Sequence, residues 1–461
     1  MVRFPLLVGN AQAFWGDDPD APARLVRQKP ELDFLTLDYL AEVSLSIMAI
    51  QREKDPRSGY ARDFIEVVRS LAKSWRDGSR VKIITNAGGL NPLACGRACL
   101  ALLNELDLPH LKVAVVSGDD VLPIIKENSA GRFENLETGQ PISEIQDRLT
   151  TANAYLGIDK VAEAVRAEAD IIVTGRVADP SLTAAAAVAH FKWSSQDYDR
   201  IAGATIAGDL IECGTQACGG FFTDWLELPD NGNIGFPIVE IYDDGSCIVT
   251  KPEGTGGRVN LPTVKEQLLY EVGDPGNYIS PDATVSFLDL EVEQVGRDRV
   301  RVSGGKGRAP TSQYKVSATY RDGFKAHAMI TIFGRDAVKK ARQCGENILR
   351  QLEEQGIKFE RSLVECLGSG ASVAGIKIPD VSDQLLETVL RVSVADRRRA
   401  AVEHFTKKIA PLVTAGPQGV TDYSAGRPKV QAVFGYWPTV IDKNLVHPKV
   451  ELLAQEFVSA A

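Results

Sequence analysis

The residues of this chain that carry reactive or ligand-holding groups gather just after short apolar runs. Asp38 closes the run LDFLTLD, with Glu42 one helical turn further on. Asn86, Gly88, Gly89 and Asn91 lie in TNAGGLNP, Arg176 and Asp179 in TGRVADP, and Glu212 in DLIECGTQACGG. A carboxylate in a partly dry crevice has its pKa raised and serves as general base or acid, which suits Asp38 and Glu212. Amides and backbone N–H groups at a strand-to-helix junction suit an oxyanion such as an enolate or thioester oxygen, the chemistry expected of Asn86, Gly88 and Gly89. Arg176 can grip a carboxylate or phosphate bidentately, or close a structural ion pair. Each of these residues also has a local reading, with Asn91 and Asp179 as helix N-caps before Pro92 and Pro180. Cys213, next to Glu212, has no histidine close in sequence to activate it and reads as a packed thiol.

A second candidate is the loop KPEGTGGR, Lys251–Arg258, which follows a hairpin built from FPIVEIY and CIVTK around Asp243-Asp244-Gly245-Ser246. Three glycines and a threonine between two cations permit positive φ and expose N–H groups. Lys251, Thr255, Gly256 and Gly257 are therefore expected to wrap a carboxylate or phosphate.

These groups need elements to position them. Apolar runs at Pro5–Val8, Leu32–Leu37, Val81–Thr85, Val113–Ser117 and Ile171–Thr174 alternate with helix-like stretches at Leu40–Glu53, Ala61–Trp75, Pro92–Glu105, Lys160–Glu168 and Pro180–His190. That alternation predicts an α/β fold, a mainly parallel sheet flanked by helices, over residues 1–280. In such a sheet the loops after the strands share one edge, where ligands bind. Gly9 and Asn10, Asp38, Asn86, the Gly118-Asp119-Asp120 turn and Arg176 would all meet there. Over residues 281–461 the texture becomes strand-rich. Val285–Val295, Tyr314–Tyr320 and Phe324–Phe333 read as strands, with Arg321-Asp322-Gly323 as a tight turn, and Asp336–Gln355 and Arg397–Val413 read as helices. A smaller α+β domain is expected.

Composition narrows the function. Apolar residues make up 44% and charged residues 25%, and the net charge is −9, which argues against nucleic-acid binding. No run of 18 apolar residues marks a membrane span, and the N-terminus lacks signal-peptide character, so a cytoplasmic protein is expected. The seven cysteines contain no C-x-x-C pair and the five histidines no ligand spacing, so neither a metal nor another cofactor is expected.

The stretches VGNAQAFWGDDPDA, ITNAGGLNP, VTGRVADPSL, DLIECGTQACGG, FPIVEIYDDGSCIVTKPEGTGGRV and GGKGRAPTSQYKVSATYRDGF resemble the acyclic terpene utilisation proteins of the AtuA type, over most of residues 5–330. The resemblance implies a catabolic enzyme working on branched acyl-CoA esters, by hydration or cleavage of a thioester. The ferredoxin-like segment of the HARSGDKGD type that many relatives carry is not found, so its role is expected to be absent or supplied by a partner. Together the residues and the resemblance predict a cofactor-independent lyase or hydratase for a small carboxylate or CoA ester. Asn86, Gly88 and Gly89 would hold an enolate-like oxygen, and Arg176 with the Lys251–Gly257 loop would hold the substrate's anion. Asp38 or Glu212 would move the proton. A carboxylate- or metal-assisted amide or thioester hydrolase, or a non-catalytic small-molecule binder, is the alternative. A homo-oligomer is in keeping with an enzyme of this size.

Overall fold

The structure, a computed structural model, describes residues 5–41, 43–128, 133–370, 375, 384–422 and 426–454. Glu42 lies outside the described residues. The first half runs β1 (Leu6–Asn10), α1 (Ala21–Gln28), β2 (Phe34–Leu37), α2 (Ser44–Lys54), α3 (Asp63–Arg76), β3 (Lys82–Thr85), α4 (Pro92–Glu105), β4 (Val113–Ser117), α5 (Leu122–Glu127), β5 (Leu149–Ala154), α6 (Ile158–Arg166), β6 (Ile171–Thr174), α7 (Ser181–Phe191) and α8 (Tyr198–Glu212). The hairpin strands β7 (Ile238–Ile241) and β8 (Cys247–Thr250) follow, then α9 (Leu261–Leu269), β9 (Tyr278–Ile279), β10 (Thr284–Ser286), β11 (Glu291–Gly296), β12 (Arg299–Ser303) and β13 (Lys306–Arg308). The remainder comprises β14 (Gln313–Phe333), α10 (Ala337–Glu354), β15 (Arg361–Leu367), β16 (Glu387–Asp396), α11 (Arg399–Phe405), α12 (Leu412–Ala415), β17 (Val420–Asp422), β18 (Gln431–Asp442) and β19 (Lys449–Leu452).

The main sheet has the order β11-β12-β8-β7-β1-β2-β3-β6-β4-β19. Its centre, β1-β2-β3-β6-β4, is parallel, as the βαβ pattern predicts. The sheet as a whole is mixed, which corrects the expectation of a mainly parallel one. The β7–β8 hairpin docks antiparallel on β1, β12 and β11 extend it antiparallel, and β19 closes the other edge antiparallel to β4. A short hairpin turn can join only antiparallel strands, and that fixes the direction of the added strands.

The chain forms two compact units, residues 1–319 with 436–461, and residues 320–435. The strands between residues 284 and 308, assigned above to a second domain, belong to the first unit. Two further expectations change. Val285–Val295 is split between two sheets, β10 in a small sheet with β9 and β13, and β11 in the main one. Arg321-Asp322-Gly323 is no turn, because β14 runs through it and pairs with β16 from Phe324 onward. The helix expected at Arg397–Val413 stops at Phe405 and resumes at Leu412, where Pro411 supplies no N–H for a continuing ladder.

Strand alternation positions the site. Ala11, Leu35, Leu37, Tyr39, Ile83, Ala87, Ile171 and Val173 all join one core cluster with residues of α1, α3 and α4. Side chains along a strand alternate between faces. The residues between these therefore face the opposite side, where α7 packs on β1, β2 and β3 and α8 on β1, β7 and β8. They include Asp38, Asn86, Thr174 and Arg176.

Candidate active site

At the carboxyl edge of the parallel strands the backbone ladder continues past β1, with the Asp38 N–H donating to the Gln12 carbonyl at 2.9 Å. Extending the β2–β3 and β3–β6 registers by one residue sets Asp38 beside Asn86 and Asn86 beside Thr174. The three side chains form one polar row across three neighbouring strands.

Asn86 is wholly buried and committed on both sides. Its Nδ2 donates to Asp38 Oδ1 at 2.7 Å and its Oδ1 accepts from the Tyr39 N–H at 2.7 Å. The Leu40 N–H adds a bond to the same Asp38 oxygen at 3.0 Å. Burial lifts the Asp38 carboxyl above the usual range, while the Arg176 charge, the bonds from Asn86 and Leu40, and a hydrogen bond with Asp179 pull it back. Asn86 thus orients an acid–base residue. The turn after it has little left for an oxyanion. The N–H groups of Gly89, Leu90 and Asn91 donate to Asn86, Gly59 and Gly88 carbonyls, and a Cβ on Gly88 would press against Thr174 and Pro92. Asn91 is the N-cap expected of it, accepting from the Ala94 N–H at 3.3 Å.

Arg176 is 3% exposed. Its guanidinium donates to the Leu40 carbonyl and to Asp179 Oδ1 (2.6 Å) and lies 4.1 Å from the Tyr155 ring centre. Its backbone N–H donates to Asp119 Oδ2 at 2.8 Å, and burial raises the Asp119 carboxyl to about 6. The N-cap of α7 is Pro180, with no side-chain cap bond, rather than the Asp179 expected there. The arginine is the counter-ion of the site rather than an open clamp.

The last turn of α8 brings Asp209 and Glu212, three residues apart, to the same face. Among the described residues neither Asp209 Oδ2 nor Glu212 Oε2 has a hydrogen-bond partner. Burial, and then the charges of Asp209, Asp179, Asp38 and Glu271, hold the Glu212 carboxyl well above its usual value. Burial and the Glu271 charge push Asp209 up to about 8. Cys213 is half-buried, and burial together with the Glu212 charge pushes its thiol up, away from thiolate reactivity. Seven free thiols, most of them buried, match the reading of packed cysteines.

Asp209 has a consequence for stability. The folded protein keeps a proton that the unfolded chain, titrating near 3.8, has already lost, so stability falls as pH rises through about 8. Between pH 6 and pH 9 the expected loss is about 2.7 kcal/mol, nearly all of it below pH 8, and Asp209→Asn should abolish that part of the decline. Urea titrations of both proteins at the two pH values measure it, and equal slopes would remove the assignment.

The other expected residues lie apart from this cluster or serve the scaffold. Asn10 donates to Thr36 Oγ1 at 3.3 Å and accepts the Gln12 N–H at 3.1 Å, while Gly9 packs under Leu25 and Leu32. The Lys251–Arg258 loop starts at the same sheet edge, since Thr250 is level with Ile238 and Ile238 with Gly9. Three strand spacings separate β8 from β2, roughly 14 Å. Its groups are spent internally. Lys251 donates to the Thr255 carbonyl at 2.8 Å and pairs with Asp298 at 3.6 Å, and Thr255 Oγ1 donates to the Pro252 carbonyl at 2.7 Å. The N–H groups of Gly256, Gly257 and Arg258 donate to the Asn233, Pro229 and Cys218 carbonyls, each at 2.8 Å. A side chain on Gly256 would strike the Asp230 carbonyl, and one on Gly257 the Cys218 carbonyl. The glycines serve close backbone approach, and the expected anion cradle has no N–H to offer from these three residues. The loop lines an open groove of about 1410 Å³ together with Glu240, Asp298 and Arg299, and neither Asp38, Asn86, Arg176 nor Glu212 is part of its wall.

Gln12 and Asp209 were not singled out by residue type. For Asp209 the signal was its i,i+3 spacing to Glu212, and Gln12 left none.

Among the described residues no helix is long and apolar enough to cross a membrane, and no group of three or more His, Cys, Asp or Glu side chains is placed to hold a metal ion. Neither a curated protein nor a solved structure matches the chain. The model of the family described as acyclic terpene utilisation family protein AtuA matches residues 6–452, and the chain belongs to that family.

Proposed function

We infer that the protein is a lyase of the hydratase kind, adding water to or removing it from an acyl thioester or related small acid. The observation that carries this reading is the pairing of two unlike carboxyls on one face. Asp38 is hydrogen-bonded and set beside a guanidinium, while burial and acidic neighbours raise the Glu212 carboxyl, whose Oε2 has no partner among the described residues. Carboxyls pushed apart in acidity divide naturally into base and acid.

In the elimination direction Asp38 takes the proton from the carbon next to the carbonyl. The electron pair of that C–H bond forms the double bond, the bond to the hydroxyl on the next carbon breaks, and Glu212 gives its proton to the departing hydroxyl, which leaves as water. Exchange with solvent returns the proton from Asp38 and restores the one on Glu212. Hydration is the same sequence reversed. Asn86 and Arg176 act through Asp38 as positioning residues. Membership in a family named for terpene utilisation agrees with a catabolic acyl substrate.

The test is deuterium exchange. In D2O, N-acetylcysteamine thioesters of short saturated, unsaturated and 3-hydroxy acids are incubated with the protein and the α-carbon is read by NMR. Deuterium should enter with the wild type, and at least about 100-fold more slowly with Asp38→Asn. Release of free acid without deuterium would instead make the protein a thioester hydrolase.

A further inference from the structure

We propose that Gln12 binds the substrate's reacting head, and that this head is uncharged, offering a carbonyl acceptor and a hydroxyl donor on carbons separated by one methylene. The proposal builds on the acid–base reading above and specifies the substrate class for the same face.

Gln12 is 1% exposed, and neither its Nε2 nor its Oε1 has a partner among the described residues. A dry primary amide with both ends unsatisfied is rare in a folded protein and points to a ligand. Its place follows from the backbone. The Gln12 carbonyl accepts from the Asp38 N–H, which fixes residue 12 beside Asp38. The next residue, Ala13, lies against Gly214, two residues beyond Glu212. The orphan amide therefore sits between Asp38 and the end of α8.

Charge decides what the amide would meet. Asp38, Asp179, Asp209 and Glu212 bring four carboxyls to the cluster, and the guanidinium of Arg176 is already engaged with Leu40, Asp179 and Tyr155. A free carboxylate or phosphate placed among them would add repulsion with no cation released to balance it. An amide instead donates through Nε2–H and accepts through Oε1. A 3-hydroxyacyl group presents the complementary pair, its carbonyl to Nε2–H and its hydroxyl to Oε1. Any anionic portion of the substrate then remains outside the acid cluster.

Calorimetric titration with the N-acetylcysteamine thioester of 3-hydroxybutyrate, free 3-hydroxybutyrate, and the butyryl thioester tests the idea. The neutral hydroxy thioester should bind wild type at least about tenfold more tightly than either comparison compound, and Gln12→Leu should lose about tenfold of that affinity, the worth of two hydrogen bonds. Gln12→Leu removes two unpartnered atoms, so its melting temperature should hold, and Gln12→Met serves if it does not. Equal or tighter binding of the free acid, no binding of the neutral hydroxy thioester, or unchanged affinity in Gln12→Leu and Gln12→Met each overturns the proposal. Selective binding without deuterium exchange would keep this assignment and remove the lyase reading. Exchange that ignores Gln12 would do the reverse.

Discussion

Replacing Glu212 by glutamine is expected to lower kcat for dehydration or hydration by roughly 100- to 10,000-fold, the range for loss of a positioned general acid. Glutamine keeps the size and neutrality of the protonated side chain and removes only the proton to be given. The face already holds more carboxyls than it has counter-charge, so the variant should fold at least as well as wild type. Asp38 is untouched, and deuterium exchange at the α-carbon should therefore survive while turnover collapses. The wild-type rate should also fall toward alkaline pH, as Glu212 finally gives up the proton that burial and its acidic neighbours make it keep. Glutamine should erase that limb. Steady-state kinetics and NMR exchange on the same thioester read both. Unchanged kcat would take Glu212 out of the mechanism, and loss of exchange in step with turnover would make it the base.

Replacing Arg176 by methionine is expected to cost about 3–5 kcal/mol, the usual penalty for removing one side of a buried ion pair. Three groups would each lose a contact at once. The Leu40 carbonyl loses its donor, Asp179 its 2.6 Å partner, and the Tyr155 ring the cation stacked on it. Lysine should recover little, because one ammonium cannot reproduce a fork that reaches a carbonyl and a carboxylate together. The same change should raise the Asp38 pKa, since the arginine charge is the largest influence holding that acid down, and the acidic limb of the rate profile should move upward with it. Denaturant unfolding at pH 7 and the pH–rate profile measure the two effects. A loss below about 1 kcal/mol would show that the ion pair is not what holds this edge.

The parallel centre of the sheet was legible because β1, β2, β3, β4 and β6 are short, apolar and separated by amphipathic helices. α8 was hard to see because its residues from Ile201 to Ile211 are buried on every side, which erases the stripe that marks a surface helix. The carboxyl edge was identified from the polar residues after each strand, yet residue type alone did not tell a side chain aimed at the site from one spent on the scaffold. Asn86 carries the right group in the right place and uses it on Asp38. Lys251–Arg258 has the composition of an anion cradle, and its N–H groups go to residues 218, 229 and 233, contacts no local reading supplies. The approach of Glu212 to Asp38 spans most of the first unit and leaves no trace in either segment.

The polar row of Asp38, Asn86 and Thr174 ties the chemistry to the completeness of the sheet. A one-residue slip of any of these strands turns its member into the opposite layer. A piece of chain ending before Tyr198 would hold the whole row and lack both acids of α8, while a piece starting after it would hold the acids and no base. The centre therefore has no portable fragment. It comes into being only when strands and helix ends two hundred positions apart have closed on one another, so assembly of the fold and acquisition of activity are a single event.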